Sequence, residues 1–105
     1  MAFTLLNARL TAEQAAAYGL IWKALPDDEF GAEVDAIIAK LAAAPTFGLG
    51  SAKRAIRESW SSGLDASLDR ERDMQKQCGL SPDYREGVNA FKEKRVPRFT
   101  GAGPV

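Results

Sequence analysis

Along this chain the apolar residues recur with a period near 3.6 rather than 2, so each clear run of them reads as a short helix. The plainest run is DDEFGAEVDAIIAKLAAAP, in which Phe30, Val34, Ile37, Ile38 and Leu41 fall on one stripe. Asp27 or Asp28 stands at its cap and Pro45 closes it, which predicts a helix over 28–43. Upstream, LTAEQAAAYGLIWK carries Thr11 and Gln14 at capping-box spacing and Gly19 where a left-handed helix end falls, predicting 12–18. LIWKAL then reads as an extended connector ending at Pro26.

The second half continues the pattern. In PTFGLGSAKRAIRESW, Leu49, Ala52, Ile56 and Trp60 share helical spacing over 47–60. Gly48 and Gly50 weaken its first turn and suit the close approach of another backbone. SSGLDASLDRERDMQKQCGL starts at a Ser62 cap and stops at Gly79, predicting 63–78 with Leu64, Leu68, Met74 and Cys78 on one side. Ser81 caps and Pro82 opens a last helix, 82–95, with Tyr84, Val88 and Phe91 in a stripe, before a tail over 96–105 in which Pro97 and TGAGPV end the order. The fold class is all-α, four to five short helices, and several have apolar faces too narrow to pack alone, which implies a partner surface.

Composition supports one soluble domain: 105 residues, 46% hydrophobic, 27% charged, net charge 0. The charge is polarised, however: residues 1–50 carry 3 basic against 6 acidic groups, and residues 51–105 carry 11 against 8. The basic excess gathers in Arg85, Lys92, Lys94, Arg95 and Arg98. Cys78 is the only cysteine and histidine is absent, which excludes an internal disulfide, His/Cys zinc sites and triads built on histidine. No segment is long enough to span a membrane and MAFTLLNARL lacks a signal-peptide pattern, so a cytoplasmic location is expected.

Few residues suggest chemistry directly. Phe91 and Lys94, three apart on a helix, would suit a planar base beside a phosphate; the commoner reading of such a stripe has Phe91 in a core and Lys94 in water. Glu71, between Leu68 and Met74, is either a buried acid or a stripe-edge carboxylate paired with Arg72 or Arg85. Asp65, Asp69 and Asp73 read as a solvated face, because helical carboxylates without a loop make poor calcium sites. FGLGSAK lacks the spacing of a phosphate-binding loop. No metal site is expected.

Taken in order, LTAEQAAAYGLIWKAL, PTFGLGSAKRAI, LDRERDMQ and above all DYREGVNAFKEKRVPRFTG resemble the C-terminal helical region of the enoyl-CoA hydratase/isomerase family, the crotonase fold. GLIWK, PTFGLG and DYREGV are particularly similar to its phenylacetate-pathway branch of 1,2-epoxyphenylacetyl-CoA isomerases. The resemblance implies an acyl-CoA thioester as substrate, no covalently bound cofactor, and enolate stabilisation by an oxyanion hole. That hole, with its catalytic carboxylates, belongs to an N-terminal ββα spiral that this sequence does not contain. No catalytic residue is therefore assigned, and the chain is expected to be a C-terminal fragment, inactive alone. By motif position, the family's adenine-stacking Phe and 3′-phosphate Lys fall on Phe91 and Lys94, serving a neighbouring subunit's CoA. A homo-oligomer follows, without nucleic acid or membrane as partner. The competing reading is a stand-alone helical module whose basic last helix grips an acidic partner or nucleic acid.

Overall fold

A computed structural model describes residues 2–104, and all regular structure among them is helical. In chain order the elements are α1 (Ala2–Leu6), α2 (Ala12–Ala17), α3 (Asp27–Ala42), α4 (Thr46–Ser59), α5 (Leu64–Leu80) and α6 (Pro82–Glu93). The class is all-α as the periodicity indicates, with six helices rather than four or five. LIWKAL forms no strand; it is a connector without regular structure. The chain divides into two compact units, Met1–Ala36 and Ile37–Val105.

In the first unit, the capping box of α2 is made in full. Gln14 N–H donates to Thr11 Oγ1 at 3.2 Å and Thr11 N–H donates to Gln14 Oε1 at 3.0 Å, which satisfies two donors the helix start would leave open. The other end of α2 is a Schellman motif. Gly19, at φ +72°, supplies the left-handed residue, its N–H bonds Ala16 O at 3.0 Å, and Leu20 N–H bonds Ala15 O at 2.9 Å. α3 opens inside its first turn rather than at an aspartate cap: Pro26 O takes the N–H of both Glu29 and Phe30, and Asp27, Asp28 and Glu29 bring negative charge to the dipole's positive end.

In the second unit α5 is the middle helix, packed against α4 on one side and α6 on the other. The turn between α5 and α6 is one residue long. Ser81 is 4% exposed there, donates from Oγ to Cys78 O at 2.6 Å and accepts Tyr84 N–H at 3.2 Å, so one hydroxyl closes α5 and caps α6. Both ends of α5 differ from the sequence reading. Gly63 rather than Ser62 occupies the cap of α5, with Ser62 Oγ accepting from Arg70 instead, and Gly79 lies inside the helix, which runs on to Leu80.

What the helices do not build is a closed apolar interior. Among the described residues Ala90 is the one buried hydrophobic side chain; the other buried positions are Ser51, Ser81 and Asp83. Trp60 is 88% exposed, and Leu64, Ile56 and Leu68 are exposed along the same elements. The stripes that specify the helices thus remain largely uncovered, because a stripe of about 100° needs a facing layer to bury it.

Candidate functional site

The most elaborate polar structure in the chain surrounds α6. Its sequence begins with Ser81 as cap and Pro82 in the first turn, and Asp83 and Glu86 follow at a spacing that puts both on one face. At the other end α6 stops at Glu93, two residues before the predicted end. Lys94 adopts φ 52°, ψ 39°; its N–H bonds Phe91 O at 3.3 Å and Arg95 N–H bonds Ala90 O at 3.0 Å. This is the same Schellman pattern that ends α2, but with lysine where α2 uses Gly19. A left-handed conformation costs a non-glycine residue roughly 1 kcal/mol.

From that corner the chain turns back along α6. Arg95 donates from Nη1 and Nη2 to the two oxygens of Glu86 at 2.6 and 3.0 Å, and from Nε to Glu93 at 2.5 Å. Arg98 N–H then donates to Glu86 Oε1 at 2.8 Å. Further on, Phe99 lies against Gly87, and Asp83 receives Thr100 N–H at 2.7 Å, Thr100 Oγ1–H at 3.0 Å and Gly101 N–H at 2.8 Å. Asp83 is 3% exposed and has no cation in these contacts. The backbone N–H of Thr100 is the chief influence holding its carboxyl below the ordinary carboxylate value, against the opposing effect of burial. Glu86 is held down to about 2, first by the Arg95 hydrogen bonds and then by Arg98 N–H, and the same pairing raises Arg95.

The tail continues onto α4. A Cβ on Gly101, itself at φ +75°, would collide with Thr46 Oγ1, and one on Gly103 would come within 2.9 Å of the Phe47 ring. Close approach therefore occurs at the tail glycines. At Gly48 and Gly50, expected to allow it, an added Cβ would meet no described residue within 4 Å. The tail, which its Pro and Gly content predicts to end the order, runs as a strap along α6 and onto α4. Between α4, α6 and this strap lies an open groove of about 530 Å³ lined chiefly by Phe47, Tyr84, Val88, Phe91 and Phe99.

Phe91 and Lys94 share the end of α6. Phe91 is 86% exposed, at one border of the groove, and Lys94 is exposed at the corner. They are joined through the backbone bond between Phe91 O and Lys94 N–H, not by sitting one turn apart on a continuing helix. Among the described residues Lys94 and Lys92 make no ion pair, whereas Arg95 is committed to Glu86 and Glu93. Glu71 is exposed and pairs with neither Arg72 nor Arg85. Arg72 bonds Asp69 and Asp73 instead, which keeps those aspartates on a solvated face. No cluster of acidic or sulfur side chains among the described residues is arranged to hold a metal.

The sequence matches the Enoyl-CoA hydratase/isomerase family over residues 1–102. The chain belongs to that family. Its relatives include the 1,2-epoxyphenylacetyl-CoA isomerase of Escherichia coli K12, 46% identical over 96% of this chain and 38% of the relative. A Rhodobacter capsulatus protein named "Probable enoyl-CoA hydratase" is 43% identical over 96% of this chain and 39% of its own length. The crystal structure of a Bacillus anthracis enoyl-CoA hydratase superposes with a TM-score of 0.80 at 30% identity, covering 90% of this chain and 37% of that one. As a member of the enoyl-CoA hydratase/isomerase family, the chain thus spans under two fifths of the length of the relatives it matches, and its helices are the all-α portion of a crotonase fold.

Proposed function

We propose that this chain supplies the CoA-gripping helical part of an acyl-CoA hydratase or isomerase, with the enolate chemistry carried by the portion of the relatives that it does not match. The observation that carries this reading is Lys94. A lysine occupies the left-handed position that α2 gives to glycine, so the strained backbone is kept for a side chain whose charge is unpaired among the described residues. An exposed aromatic, Phe91, stands at the same helix end. Together they suit a nucleotide with a phosphate at its edge: the ring stacks adenine and the ammonium meets the 3′-phosphate of CoA. The acyl group of the substrate is a phenylacetate derivative, in line with the Escherichia coli relative named for 1,2-epoxyphenylacetyl-CoA. Uncovered stripes on α4 and α5 support a homo-oligomer as the working unit, and a cytoplasmic setting belongs to the same proposal.

The competing interaction-module reading depends on a free basic cluster, and Arg95 does not contribute to one because Glu86 and Glu93 neutralise it. Competition between two halves of CoA tests the preferred reading. Adenosine 3′,5′-bisphosphate should displace bound CoA from the full chain and pantetheine should not, and Phe91→Ala should weaken CoA about tenfold or more, as loss of base stacking does. Displacement by pantetheine alone would sink the assignment. An enoyl-CoA hydration assay on the pure chain should give only the buffer rate.

A further inference from the structure

We infer that Asp83 and Glu86 are positioning residues that hold Lys94 in its left-handed corner by clasping the returning tail. Neither carboxylate is assigned to ligand; each acts through the returning segment 94–101. The argument starts from direction. A chain leaving α6 through a right-handed or extended Lys94 would run on past the helix end, and Arg95 could not return to Glu86, nor Thr100 to Asp83. Both clasps therefore require the left-handed corner, and by linkage both stabilise it.

The two clasps differ in kind. Glu86 takes a bidentate guanidinium from Arg95, the residue that follows the corner, and the Arg98 N–H, and it remains partly exposed. Asp83 sits further back, at the second residue of α6, where it is 3% exposed and receives three donors from Thr100 and Gly101. Without the tail this carboxylate would lose these three hydrogen bonds and would take its donors from water. Asp83 consequently has two states, tail docked or carboxylate hydrated, and the docked state fixes the strap against Gly87, Thr46 and Phe47. A strained lysine at the corner is tolerated because the strap is fastened at both ends.

The ligand part of this inference rests on the CoA reading above; the conformational part does not, and the experiment separates them. Backbone NMR on the full chain would follow the Lys94 Cα and Cβ shifts, which report the sign of φ, and the exchange of the Thr100 and Gly101 amides. Wild type, Asp83→Asn, Glu86→Gln and Thr100→Val would be compared, each also titrated with CoA and dephospho-CoA. In Asp83→Asn and Glu86→Gln the left-handed signature should be lost and both amides should exchange at least about tenfold faster. A wild-type preference for CoA of roughly tenfold, the scale of one charge-assisted contact, should fall to near parity in the same variants. Thr100→Val keeps both backbone donors, so it should give a smaller change in the same direction, and it stands in if Asp83→Asn does not fold. Unchanged Lys94 shifts in Glu86→Gln and Thr100→Val would overturn the inference. If wild type shows no preference for CoA, the ligand reading fails and the shifts alone judge the clasps.

Discussion

Lys94 is where backbone and side chain make opposite demands. The corner asks for glycine and the chain supplies a lysine, so Lys94→Gly should leave unfolding free energy unchanged or raise it by up to about 1 kcal/mol. Urea unfolding measures this, and a loss of stability would mean that Lys94 is structural. Glu86 gives a second expectation. Its carboxyl is lowered from an ordinary 4.5 to about 2, so the folded state binds its proton less readily than the unfolded chain. Its contribution is complete above about 4.5 and disappears as pH falls through about 2. Arg95 and the Arg98 N–H face it, and Glu93 shares Arg95. The Phe99 ring resonances should therefore hold their docked positions down to pH 4.5 and shift only below it; a midpoint at or above 4.5 would show that the Glu86 clasp is not made.

At the scale of elements, what could be read from the sequence was local. Thr11 with Gln14, Gly19, Ser81 with Pro82, and the stripe through Phe30 to Leu41 are signals contained within a few residues, and the structure places α2, α3 and α6 on them. The strap was not legible for the converse reason. Its bonds join residues 83 to 100 and 101, and 86 to 95 and 98; half use backbone N–H groups that carry no side-chain signature, the Arg95 and Thr100 side chains reach acceptors 9 and 17 residues away, and its Gly and Pro content imitates disorder. Phe91 and Lys94 are visible as a pair, but their spacing implies a continuing helix, and the helix ends between them. The single-residue turn between α5 and α6 concentrates two duties in Ser81, the cap of one helix and the closure of another. Ser81→Ala should cost about 1–2 kcal/mol in denaturant unfolding, with Ser81→Thr recovering part of it. A change of only a few tenths would show that water replaces the hydroxyl.

For the whole molecule the decisive quantity is the uncovered apolar surface. With Ala90 the one buried hydrophobic side chain among the described residues and Trp60 at 88% exposure, the helices present faces rather than a core. Such faces associate, and light scattering across a dilution series should show mass above the 11.3 kDa monomer at the higher concentrations. A monomer at every concentration, with the apolar faces protected from solvent, would contradict this. The claim on which the account depends is that the end of α6 recognises the phosphate-bearing nucleotide of CoA. Calorimetric titration of the pure chain with CoA and dephospho-CoA, repeated on Lys94→Gly, tests it most directly. The account predicts tighter binding of CoA by wild type and no preference in Lys94→Gly. Equal binding of both ligands by wild type, or no binding of either, would contradict it.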